Sequence, residues 1–204
     1  HRIELMRSAT ASFDSLLDVN KKPTAAEIGT ATHLFLQYCD YQNVEKNGVE
    51  AEISRLREMR FITERVASII NRDQLSGFFK SSMYAHVLSA KNVLREFKFG
   101  LFKSASDFTQ NETLKDLVGD KKIFVQGSID LLIETADGDI LLCDYKTDRI
   151  THEEMRDRAL LIRNMRERHG EQLEQYKYAV NQIFGKTPKS IYIYSLPLGE
   201  AIEM

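Results

Sequence analysis

Apolar and polar positions divide the chain into a helical first half and a strand-bearing second half. Thr24 with Glu27 fits a capping box, Pro23 stands just outside it, and Ile28, Ala31, Leu34 and Phe35 then recur at helical spacing. Val49–Ala90 reads as short helices over Val49–Arg60, Thr63–Asn71, Gln74–Lys80 and Ser82–Ala90, with Phe78 and Phe79 in the core and His86 structural. The charged run Glu50, Glu52, Arg55, Arg57, Glu58 and Arg60 is expected to be a solvated face. Asn92–Phe102 alternates as a strand, placing Val93, Arg95, Phe97 and Phe99 on one side and Leu94, Glu96 and Lys98 on the other. Two apolar runs follow, Ser128–Thr135 and Asp139–Thr147, separated by the turn signal Ala136-Asp137-Gly138. A charged helix is predicted from about Glu153 to Arg168, a break at Gly170, and a second helix carrying Gln172, Leu173, Tyr176, Ala179, Val180 and Ile183. Lys189–Leu196 forms the last strand. The stretch His1–Lys22 shows weak helical periodicity, and Ser104–Lys122 a polar loop with a short helix. The order implies an α/β fold, a central mixed β-sheet flanked by helices with an N-terminal helical region. We read it as one domain, residues 1–90 mainly helical and 91–204 carrying the α/β core.

Each central strand carries an acid where an apolar residue is expected, Asp130 in the first and Asp144 in the second, and Lys146 follows two residues later. A two-residue Asp137-Gly138 turn would set Asp130 opposite Tyr145. A three-residue loop with a left-handed Gly138 sets it opposite Asp144, Cβ atoms roughly 5 Å apart, with Lys146 on the Asp144 face. We favour the second register. Two such acids in apolar strands are costly unless paired or metal-bound, and a divalent cation meets that need.

Composition narrows the class. The 204 residues suffice for a real core, and 43% hydrophobic with 28% charged residues is ordinary for a globular protein. No apolar run approaches the roughly 18 residues of a membrane span, so the expectation is a soluble, intracellular protein. The net charge of −2 does not mark a nucleic-acid binder by itself, although one face can still be basic. Cys39 and Cys143 are too few for a disulfide framework, a cysteine zinc site or an iron–sulfur cluster, and Cys143 is expected to be a buried small hydrophobe. Gly185-Lys186-Thr187 lacks the earlier glycine of a phosphate-binding loop. The chain opens on His1 without Met, which suggests a piece of a longer protein.

The wording Val-Gln-Gly-Ser-Ile-Asp and Asp-Tyr-Lys-Thr-Asp-Arg resembles the RecB-like branch of the PD-(D/E)xK nucleases, most closely the C-terminal nuclease domains of AddA-type helicase–nucleases. Gly29-Thr30-Ala31-Thr32-His33 matches the family's G-T-x-x-H helix, and Gly29, His33 and Gln37 share one helix face. Arg95-Glu96-Phe97-Lys98-Phe99 resembles its R-E-x-P-F strand with Lys98 replacing Pro. Gln172 and Tyr176 match its Q-x-x-x-Y helix. The resemblance covers about Ala26 to Leu196. It implies a restriction-endonuclease-like core. Its metal ligands would be His33, Asp130, Asp144 and the Tyr145 backbone carbonyl, with Glu96 either assisting the metal or simply paired at a strand edge. Catalytic roles would fall to Asp130, Asp144, Lys146, Gln172 and Tyr176. The implied cofactor is Mg²⁺, with Mn²⁺ as substitute and Ca²⁺ an inactive occupant. Arg149, Arg163 and Arg166 are candidate DNA contacts, and the cationic stretch to Arg168 and His169 also suits a helix C-terminus. The implied setting is bacterial, cytoplasmic and nucleoid-associated. Single-stranded DNA would be supplied by a helicase portion of the same parent chain, working with the second subunit of an AddAB-type complex in double-strand break repair. A non-catalytic DNA-binding or scaffolding module, and a phosphoesterase acting on RNA or a small ester, are the alternatives.

Overall fold

The computed structural model describes residues 22–204; the weak periodicity of the first residues lies outside them, except for Lys22. Five helices come first: α1 (Ala25–Tyr38), α2 (Tyr41–Glu58), α3 (Glu64–Ile69), α4 (Arg72–Phe78) and α5 (Ser82–Leu88). Each starts on a side-chain cap: Thr24, Asp40, Thr63, Asn71 and Ser81 accept from backbone N–H groups one turn on. The predicted box at Thr24 and Glu27 is complete. The strands are β1 (Asn92–Ser104), β2 (Lys122–Glu134), β3 (Ile140–Lys146), β4 (Ser190–Ser195) and β5 (Glu200–Glu203). A 3₁₀ turn (Ala105–Phe108) and α6 (Glu112–Val118) join β1 to β2. The helices α7 (His152–Arg156) and α8 (Arg158–Phe184) join β3 to β4.

The sheet runs β1-β2-β3-β4-β5 and is mixed, since only β3 and β4 are parallel. Both of its faces are covered. Leu131, Ile133, Leu141, Cys143, Tyr145 and Tyr194 pack with α1–α5 around Phe35, Leu56 and Phe78. Ile129, Leu132, Leu142 and Ile193 pack against Leu161, Met165, Leu173 and Ala179 of α8. Phe78 meets Tyr145 and Tyr194 edge-on, so the helical half and the strands share one core. Cys143 is buried and free, as its place in an apolar strand predicts.

Four expectations need correction. Gly170 does not interrupt the chain; it lies inside the 27-residue α8, and the break falls instead at Asp157, which caps that helix. One glycine costs a helix about 1 kcal/mol, which an apolar face repeated on both sides of it outweighs. Glu52 is not solvated: it is fully buried, and accepts from the Asp40 N–H, Asn43, and Nε and Nη2 of Arg55 near the start of α2. Strand β5, short and carrying two acids in four residues, has no counterpart among the predicted elements. Most consequentially, the alternation of β1 reverses. Val93 packs on the α1 side and Arg95 binds the carbonyls of Leu36 and Cys39 there, whereas Phe97 and Phe99 pack on the α8 side.

Candidate active site

The reversal is centred on Glu96, whose φ of 49° lies in the left-handed region that a side chain rarely adopts. The pairing of β1 with β2 keeps one register on both sides of it, Arg95↔Leu131 and Phe97↔Ile129, so Glu96 stands across from Asp130. On β2 the faces switch at the same level, Leu131 packing toward α1 and Ile129 toward α8. A twist in both strands thus turns Glu96 and Asp130 toward α1. Ser128 donates to Glu96 Oε2 at 2.8 Å and holds it there. Such backbone strain, at about 1–3 kcal/mol per residue, persists where the surroundings enforce it and clusters at functional sites.

The hairpin adopts the register that sets Asp130 opposite Asp144. The ladder reads Leu131↔Cys143 through Glu134↔Ile140, and Gly138 takes φ 82° with its N–H on the Thr135 carbonyl. The two strands separate beyond Leu131 and Cys143. There Asp130 Oδ2 accepts the Tyr145 N–H at 2.6 Å, substituting for a backbone partner.

His33 completes this side. Gly29, one turn earlier on α1, is so close to the segment after β3 that an added Cβ would lie 3.2 Å from Thr147 Oγ1. At that approach His33 Nδ1 is 3.3 Å from Asp130 Oδ1 and 3.5 Å from Glu96 Oε1. One potential ligand atom from each of His33, Glu96 and Asp130 lies within 4.8 Å of the others. Burial opposes a charge on His33, but Asp130 and Glu96 outweigh it and push its pKa up to about 10. This pocket therefore demands positive charge, and two carboxylates with an imidazole are donors that suit a divalent cation.

Asp144 and Lys146 occupy the other side of β3, facing α8. Lys146 Nζ is 2.7 Å from Asp144 Oδ2 and donates to Gln172 Oε1 at 2.9 Å. Gln172 Nε2 donates to the Tyr176 hydroxyl at 2.6 Å. Asp144 is 1% exposed; burial and the charge of Asp130 raise its pKa to about 7, against the pull of Lys146. Burial likewise pushes the Tyr176 hydroxyl far up, keeping it neutral. The sequence expectation of one shared face is thus divided: Asp130 groups with His33 and Glu96, while Asp144 groups with Lys146, Gln172 and Tyr176.

The remaining predicted residues scatter. Arg149, Arg163 and Arg166 are exposed and form no ion pair with any described residue. Arg168 and His169 are not free phosphate contacts. Arg168 pairs with the α7 cap Glu154 and His169 with Asp148, both from the middle of α8, so the helix-terminus argument lapses. Lys186 reaches the Gly138 carbonyl, a structural use of the Gly-Lys-Thr triplet. Ser128 escapes sequence reasoning; a hydroxyl two residues before Asp130 in an apolar strand is its only signal.

Residues 9–201 match the model of the PD-(D/E)XK nuclease superfamily. An ATP-dependent helicase/nuclease subunit of Clostridium botulinum (strain 657 / Type Ba4) is 30% identical over 202 residues, 98% of this chain and 15% of the relative. Its counterpart in Thermoanaerobacter sp. (strain X514) is 34% identical over 188 residues, 92% of this chain and 14% of the relative. The chain therefore spans only 15% of the length of the first of these curated relatives and 14% of the second. With acids and lysine on adjoining strands inside a matched region that takes in nearly every residue, the chain belongs to the PD-(D/E)XK nuclease superfamily.

Proposed function

We propose that this chain is the nuclease module of a helicase–nuclease and hydrolyses phosphodiester bonds of single-stranded DNA with Mg²⁺, for which Mn²⁺ substitutes. The observation that carries the reading is the convergence of His33, Glu96 and Asp130 beside the buried Asp144–Lys146 pair. His33, Asp130, Asp144 and the Tyr145 backbone carbonyl would hold the cation, with Glu96 at its edge. When bound, the cation supplies Lewis-acid polarisation of the phosphate and a more acidic water. Lys146 holds the attacking water and neutralises charge growing on the phosphate. Gln172 and Tyr176 are positioning residues that fix the Lys146 ammonium. Ca²⁺ would fill the site without turnover. The rest of the parent chain would be the helicase that delivers the strand, working with the second subunit of an AddAB-type complex in break repair, in a bacterial cytoplasm at the nucleoid.

The test is cleavage of end-labelled single-stranded DNA with Mg²⁺ or Mn²⁺. Wild-type protein is expected to cleave, and Asp144→Ala and Lys146→Ala to lose about a thousandfold in rate. Undiminished cleavage by either variant would remove the assignment. The Lys146–Asp144 ion pair favours one rival, a DNA-binding module in which Lys146 serves only to neutralise Asp144. On that reading wild-type protein binds DNA and cleaves none.

A further inference from the structure

The β1–β2 ribbon extends well beyond β3. The pairs from Phe97↔Ile129 to Ser104↔Lys122 have no β3 partner. One face of this extension is covered, since Phe97, Phe99, Leu101 and Val125 pack toward α8. The opposite face is bare: Lys98, Gly100, Phe102, Lys122, Phe124 and Gln126 are all exposed. The reversal at Glu96 makes this face continuous with the His33, Glu96 and Asp130 group, because Glu96 bonds Ser128 at its inner end. From Glu96 to Phe102 the strand advances about 20 Å.

Two features distinguish this face from an ordinary solvated ribbon. The first is aromatic. Phe102 and Phe124 are register partners with ring centroids 5.3 Å apart, yet they remain 65% and 51% exposed. Glycine makes room for one of the rings: a Cβ on Gly100 would fall 2.8 Å from Phe124 Cζ. The second is charge. Residues 97–104 and 122–129 contain no acid, in a chain that has 30; Lys98 and Lys122 stand on the bare face, and Lys103 on the α8 side over the Tyr178 ring. Acids resume only in the excursion between the two strands, with Asp107, Glu112, Asp116 and Asp120. An exposed aromatic pair beside lysines, leading toward a cation-seeking acidic group, matches what a single strand offers: bases that stack and phosphates that need cations.

We infer that this ribbon face is a track guiding single-stranded DNA to the metal centre, with bases stacked on Phe102 and Phe124 and phosphates paired to Lys98 and Lys122. The inference rests on the nuclease reading for its direction, but the track is defined by binding, not cleavage. Because every base has a stacking face, the track should show little sequence preference.

The experiment is fluorescence anisotropy of a labelled oligothymidylate of about twelve nucleotides in EDTA, so that no cleavage intervenes. Phe102→Ala/Phe124→Ala is expected to weaken binding about tenfold or more, while Phe102→Tyr/Phe124→Tyr stays within about twofold of wild type. Lys98→Ala/Lys122→Ala should lower the salt dependence of binding by about two phosphate contacts. Wild-type affinity in the alanine pair would overturn the track and make the aromatic pair a protein contact. Equal weakening in the alanine and tyrosine pairs would also overturn it, since stacking survives in tyrosine. Cleavage is scored separately: protein that binds through the ribbon but cuts nothing would count against the nuclease reading and leave the track standing.

Discussion

Glu52 and Asp144 are both buried acids beside a basic residue, and they have opposite fates. Glu52 accepts from one backbone N–H, one amide and a forked guanidinium, so the chain itself supplies its donors. Its pKa is lowered despite burial, because Arg55, Asn43 and the Asp40 N–H favour the charged form. Asp144 has one lysine, which Gln172 shares, and sits near Asp130; its pKa is raised to about 7 by burial and that like charge. A buried acid whose partners are complete is part of the architecture. A group of buried acids short of positive charge is what an outside cation would complete, as proposed for this site.

The largest separation should appear in catalysis. Asp144→Asn is expected to reduce cleavage about a thousandfold, and Glu52→Gln to leave the rate per folded molecule within about twofold; equal losses would erase the distinction. Stability should separate them the other way. Glu52→Ala strands Arg55 at the α1–α2 junction and is expected to cost about 3 kcal/mol in denaturant unfolding. Asp144→Asn in chelator should raise the unfolding midpoint at pH 8, because it removes a carboxylate that the fold holds charged at a cost.

The pH responses should also differ in sign. Glu52 has a lowered folded pKa, so its stabilisation is present above the ordinary value of 4.5 and is lost as pH falls through the lowered one. Asp144 has a raised folded pKa, so the metal-free fold binds its proton more tightly than the unfolded chain does. Its share of stability is present at low pH and declines as pH rises from about 4 through about 7. Melting curves in EDTA should therefore show Glu52→Gln flattening the acid limb and Asp144→Asn flattening the neutral one. The smallest effect concerns α8, the helix that carries Gln172 and Tyr176. Gly170 has nothing within 4 Å of an added Cβ, so Gly170→Ala should stabilise α8 by about 1 kcal/mol. A loss of stability would mean that the helix needs flexibility at Gly170.

What the sequence discloses follows the same division. The hairpin register is readable because Ala136-Asp137-Gly138 admits only two close registers and one of them brings Asp130 and Asp144 together. The α1 cap and the His33 face are readable because both are local. The solvated assignment of Glu52 fails because the Asp40 N–H and Asn43 reach it from the first turn of α2, across the kink at Gly48 that periodicity does not see. The division of Asp130 from Asp144 is hidden for a related reason. Strand alternation presumes regular φ and ψ, and at Glu96 the tertiary setting overrides that regularity. Gly170 misleads because a single breaker says nothing of the apolar face continuing through it.

The proposed cation site comprises His33, Asp130 and Asp144, with Glu96 at its edge. Calorimetric titration of Mn²⁺ into the chelator-treated protein tests it most directly, with Asp130→Asn and Glu52→Gln alongside. Saturable binding is expected from wild type and Glu52→Gln, weakened at least about a hundredfold in Asp130→Asn. Undiminished Mn²⁺ binding in Asp130→Asn, or none in wild type, would contradict it.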